Sequence, residues 1–172
     1  MAYEASTAER ARGAWDHLVS TLKGYYGCRL CFWKFDVFQT PEIRNIAATD
    51  AASASMVLIA TRGAGELPLE VQAWIDVWLP QKCEARDSQS ALTVLFDTPQ
   101  HNLGASVLPQ FAYLQRVARR GHMDFFVSTF DQPGETDGLS WLQFTERPRT
   151  RPDSNTVARA KSVSILSQLR MR

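Results

Sequence analysis

The stretch Ala54 to Gln81, ASMVLIATRGAGELPLEVQAWIDVWLPQ, constrains the fold more than any other part of the chain. Met56 to Ala60 is an unbroken apolar run of strand length, the pattern of a strand covered on both faces as in a parallel sheet. A glycine-bearing loop follows, Thr61-Arg62-Gly63-Ala64-Gly65-Glu66-Leu67-Pro68. Beyond it Leu67, Val71, Trp74, Ile75, Trp78 and Leu79 recur at helical spacing, and Pro80 is expected to help end the helix. One strand, one loop and one helix in this order make the core of a βαβ unit.

The rest of the chain repeats the theme. Residues 6–23 carry Ala11, Trp15, Leu18, Val19 and Leu22 on one helical face, and Gly24 and Gly27 break the pattern. Arg29 to Phe35, RLCFWKF, has strand composition and ends at Asp36. Thr40-Pro41-Glu42 opens a helix, with Thr40 as N-cap, Pro41 at the first helical position, and Ile43, Ile46 and Ala47 as the buried stripe. Ala91 to Phe96 is the next strand and ends at Asp97. A helix from about Ser106 carries Val107, Phe111, Leu114 and Ala118 on one face and stops at Gly121. Asp124 to Thr129 is a further strand, and Leu139 to Phe144 reads as an edge strand.

Alternating strands and helices predict a three-layer α/β/α sandwich with a mainly parallel central sheet of four or five strands. Residues 1–145 are expected to form this single α/β domain, with an N-terminal helix. Residues 146–172 read as a basic extension, extended at first and then helical through Val157, Leu166 and Leu169. That extension carries seven Lys/Arg against two acids, a net of +5, which leaves −4 over residues 1–145. A mildly acidic body argues against a nucleic-acid surface spread over the fold and confines that option to the tail. No apolar run approaches the roughly 20 residues a membrane span needs, and the N-terminal stretch lacks a secretory h-region. A cytoplasmic protein is the expectation.

In such sheets ligands sit beyond the carboxyl ends of the strands. This selects Asp36 to Thr40, Thr61 to Glu66 and Asp97 to Asn102, with Ser128 and Thr129 alongside. Thr61, Arg62, Gly63 and Gly65 could cradle a small anion with backbone amides and one cation. The competing reading is a tight strand-to-helix turn, for which glycine is the usual residue. Asp36 and Asp97 could share an acidic pocket, or each could serve as a turn residue at a strand end.

Other chemistries are less well supplied. Cys28 and Cys31 are three apart, so on a strand they point to opposite faces about 10 Å apart, too far for a disulfide. With Cys83 they make an odd set, and ordinary core or edge cysteines is the expectation. His17, His101 and His122 belong to no ligand motif, and no nucleophile-elbow sequence accompanies them. No metal site and no catalytic residue are predicted.

The run ASMVLIATRGAGELPLEVQAWI resembles the flavodoxin-like group, in which a strand enters a Thr-x-Gly-x-Gly-Glu-Leu-Pro-type loop that holds a flavin ring. That resemblance implies Thr61, Gly63 and Gly65 as the retained loop residues. Arg62 stands where an aromatic partner of the flavin is expected, and the sequence shows no earlier strand leading into a Ser/Thr- and Gly-rich phosphate loop. No cofactor is therefore predicted, and flavin is disfavoured. The chain also resembles receiver domains of two-component signalling, where Asp97 and Thr129 would correspond to the phosphoryl acceptor and the switch hydroxyl. Asp36 is followed by Val37 and Phe38 rather than the second acid that would hold magnesium. The leading expectation is a regulatory or protein-interaction module, with a protein partner or self-association as a homo-oligomer. The alternative is a small-ligand protein or enzyme for a nucleotide, a flavin or an anion, built on the loop after Ala60.

Overall fold

The computed structural model describes residues 1–22, 29–63, 65–84, 90–97, 108–129 and 140–144. The expectations for Cys28, His101, Val107 and the tail 146–172 fall outside them, as do the side chains of Leu18, Val19, Leu22 and Thr129.

The strands are β1 (Ala2–Tyr3), β2 (Trp33–Lys34), β3 (Met56–Thr61), β4 (Ala91–Phe96), β5 (Asp124–Thr129) and β6 (Ser140–Phe144). They form one sheet in the order β2-β1-β3-β4-β5-β6. The first five run parallel, and β6 pairs antiparallel with β5 from Phe125↔Phe144 to Thr129↔Ser140. The order 2-1-3-4-5 is that of flavodoxin-like proteins and reverses direction between β1 and β3. The expected mainly parallel sheet is present, with β1 added at a place where the sequence shows no strand-length run.

The alternation of side chains along each strand divides the core into two layers. Val57 and Ile59 of β3, Leu92, Val94 and Phe96 of β4, and Phe125 and Val127 of β5 lie in one cluster. Onto that face pack α2 (Pro41–Ser53), α3 (Leu69–Glu84) and α4 (Leu108–Arg120), through Ala47, Ala48 and Ala51, through Val71, Trp74, Ile75, Trp78 and Leu79, and through Leu114, Val117 and Ala118. The opposite face carries Leu58, Ala60 and Leu95 under Ala11 and Ala14 of α1 (Ala8–Leu22). Helices on both sides of a parallel sheet complete the three layers. Trp74 and Trp78 are core residues, 2% and 0% exposed, and Phe38 stacks on Trp74 with centroids 4.9 Å apart.

Five local expectations change. The strand expected over Arg29 to Phe35 shortens to Trp33–Lys34, and a 3-10 turn takes Phe35–Gln39. With three residues per turn, that segment puts Phe35 and Phe38 on one side, where both are buried against the α2–α3 layer. Ile46 is 59% exposed, because α2 turns its alanines inward and so lies close against its neighbours. Thr40 stands at the N-cap of α2, but its hydroxyl makes no capping bond.

Pro80 does not end α3, which runs on to Glu84. Asp76 and Pro80 share the solvent face, so the carbonyl that loses its hydrogen bond faces water. Gly121 ends α4 next to the left-handed residue rather than as it. His122 takes that conformation at φ 53°, with Met123 N–H donating to Ala118 O at 2.9 Å and His122 N–H to Arg119 O at 3.2 Å, a Schellman arrangement. Gly121 serves close packing, since a Cβ there would come within 2.8 Å of Met123 Cε and 3.0 Å of Leu79 Cδ1.

Candidate functional site

Where β1 and β3 diverge, their carboxyl ends bring Glu4 beside Thr61 and Arg62. Glu4 directly follows β1, and its N–H continues the ladder to Ala60 O at 2.9 Å. Its carbonyl accepts from Thr7 N–H and from Thr7 Oγ1, both at 2.9 Å. The Thr7 hydroxyl also reaches Ala60 O at 3.2 Å, pinning the 3-10 turn Ala5–Thr7 and the start of α1 to the top of β3. This backbone frame aims the Glu4 side chain at the loop after β3.

Three donors converge on that carboxylate. Arg62 Nε donates to Oε1 at 2.6 Å, Arg62 backbone N–H donates to Oε2 at 3.0 Å, and the Thr61 hydroxyl reaches Oε2 at a long 3.4 Å. Thr61 is 2% exposed, and Gly63 N–H donates back to its Oγ1 at 3.3 Å. Gly63 at φ 78° and Gly65 at φ 72° are both left-handed, the conformation for which glycine is favoured. Two further tethers hold the far side of the loop. Gln72 Nε2 donates to Leu67 O at 2.7 Å, and Gln110 Nε2, from the first turn of α4, reaches Glu66 O at 3.4 Å.

The same rim continues to β4. Asp97 N–H donates to Thr61 O at 2.8 Å, fixing Asp97 next to the loop. Its carboxylate pairs with Arg10, which reaches over from α1. Two cations and two carboxylates on this edge are thus matched as Glu4 with Arg62 and Arg10 with Asp97.

Thr61, Arg62, Gly63, Gly65 and Asp97 therefore stand on one edge. Asp36 follows β2 at the same carboxyl end but is not brought to Asp97: it lies in a 3-10 turn three strand spacings from β4, or about 14 Å. It pairs with Lys34 at 2.6 Å, and the bond to Asp36 raises the Lys34 ammonium above its usual range. Thr129 ends β5, with its backbone paired between Phe96 and Ser140. Ser128, one residue earlier, is buried with no hydrogen-bond partner for its hydroxyl among the described residues, as is Thr93 on β4.

Glu4 and Arg10 are the two site residues that sequence reasoning missed. Neither follows a strand-length apolar run, and Glu4 meets a partner 58 positions away. An acid directly after a two-residue strand leaves no periodic signal.

Cys31 and Cys83 carry free, half-buried thiols, and Cys83 Sγ donates to Arg120 O at 3.0 Å. Among the described residues no group of three or more His, Cys, Asp or Glu could hold a metal ion. Among them too, no helix is long and apolar enough to cross a membrane.

No family model and no curated protein matches this chain. Among solved structures, the Trp repressor binding protein from Bacillus subtilis is similar at 11% identity, over 78% of this chain and 86% of that one, with a TM-score of 0.42. That likeness is weak. The flavodoxin-like architecture is carried instead by the strand order and by helices on both faces of the sheet.

Proposed function

We propose that this chain is a non-enzymatic regulatory or protein-interaction module of the cytoplasm, on a flavodoxin-like scaffold whose ligand edge is engaged by its own charges. The observation that supports this reading is the Glu4 carboxylate lying on Arg62 at the β1–β3 switch point. In such folds this crevice is the place for a ligand, and a flavin phosphate entering it would meet a carboxylate already using its donors. The turn after β1, Glu4-Ala5-Ser6-Thr7, has hydroxyls but no glycine, and its Thr7 hydroxyl is turned onto backbone carbonyls. Paired charges also disfavour phosphoryl transfer at Asp97, a chemistry that calls for metal or lysine to neutralise developing charge.

A visible-range spectrum of gently purified protein tests the reading. Yellow flavin absorbance would sink it, and a colourless protein with no thermal shift on adding nucleotides is the expected result. A small-anion binder is the second reading, favoured by one observation. The glycine loop is held in place at Arg62, Thr61, Glu66 and Leu67 before any ligand arrives. Light scattering on the whole chain and on residues 1–145 addresses self-association; an unchanged mass would remove the tail from that role.

A further inference from the structure

We infer that the Glu4 carboxylate is an intramolecular stand-in for a ligand oxyanion, and that the donors gathered on it are a phosphate-class anion site which Glu4 keeps shut. The inference deepens the closed-edge reading above by naming what the edge would take. A guanidinium, a backbone N–H and a hydroxyl meeting on one pair of oxygens is a donor set suited to phosphate as well as to carboxylate.

The set is built rather than incidental. Thr61 is buried at 2% exposure, its hydroxyl is fixed by Gly63 N–H, and Gly63 holds the left-handed conformation that turns the loop. The site also lies where the strand order reverses, between β1 and β3. Arg62, with its side chain 63% exposed, leaves the position open to an ion arriving from solvent.

The gate and the donors are separable. The backbone of Glu4 is held by Ala60 and Thr7 whether or not its carboxylate is present. The Thr61 hydroxyl likewise keeps its contact with Gly63. Removing the carboxylate therefore leaves the Thr61 hydroxyl and the Thr61–Arg62 peptide in place, the latter held by Asp97 N–H on Thr61 O, and removes the negative charge that repels a second anion.

The test is a thermal-shift titration of the full chain with inorganic phosphate, against chloride at matched ionic strength. Wild type is expected to show no specific shift, Glu4→Ala a rise of a few degrees, and Glu4→Ala with Arg62→Ala none. If Glu4→Ala fails to fold, Glu4→Gln decides, since it removes the charge and keeps the shape; a shift smaller than for an open site but above wild type supports the proposal. No shift in either Glu4 variant overturns it, as does a shift that survives loss of Arg62. A wild type that shifts as much as Glu4→Ala overturns the gate. Flavin absorbance by the wild type would count against the module reading and leave the outcome of the Glu4 variants to stand alone.

Discussion

The two ends of the sheet each hold a cation, and they hold it in opposite ways. At the carboxyl end Arg62 is largely exposed and meets a carboxylate. At the amino end Lys82 is only 4% exposed, and its ammonium donates to Ala54 O, the carbonyl at the C-cap of α2. No carboxylate pairs with Lys82 among the described residues, and burial pushes its pKa down. One cation is cheap to hold and easily exchanged, as an exposed ion pair is. The other is buried in the packing and ties the last turn of α3 to the end of α2. The first contact is exposed to competing ions, and the second is shielded from them.

The sharpest way to break this contrast is to reverse the buried charge. Lys82→Glu should cost roughly 3–5 kcal/mol, because it buries an acid against a carbonyl oxygen with nothing to compensate. Urea unfolding measures it, and a loss below about 1 kcal/mol, the range of an exposed pair, would show that Lys82 is not fixed as described. Gly65→Ala comes next. Nothing lies within 4 Å of the added Cβ, so only the φ of +72° opposes it, for about 1–2 kcal/mol. A neutral result would mean that the loop does not keep this conformation in solution.

Arg62→Ala should cost no more than about 1 kcal/mol, and the difference from wild type should shrink in high salt. Salt-independent unfolding of the pair would contradict an exposed electrostatic contact. The smallest effect is in the pH dependence of Lys82. Its folded pKa lies below the unfolded value of 10.5. In that window the unfolded chain binds the extra proton, so stability from this group rises with pH through the lowered pKa and levels off at the unfolded one. The difference between wild type and Lys82→Met, followed from neutral pH upward, should move in favour of wild type. A flat difference curve would mean that the ammonium is hydrated.

The loop 61–66 shows how far the sequence reaches. Its position after a buried strand and before α3 was legible from apolar runs and helical spacing, both local properties of the chain. That Thr61 and Arg62 share an edge with Asp97 also follows from the parallel alternation. Asp36 follows β2 at that same carboxyl end, but burial of Phe35 and Phe38 opens a 3-10 turn directly after Lys34, and the strand order, which RLCFWKF does not report, leaves it three strand spacings from Asp97. Ile46 reads as buried from its side chain and spacing, yet the close packing of α2 turns alanines inward and leaves Ile46 exposed.

The sequence by itself determined the layered α/β plan, because periodicity reports which faces of each element are buried. Tertiary structure alone decided that Ala2–Tyr3 is a strand, since two residues have no period and acquire strand form only from neighbours on both sides. It also decided that Glu4 lies on Arg62. A contact across 58 positions depends on the strand order, which no local pattern encodes.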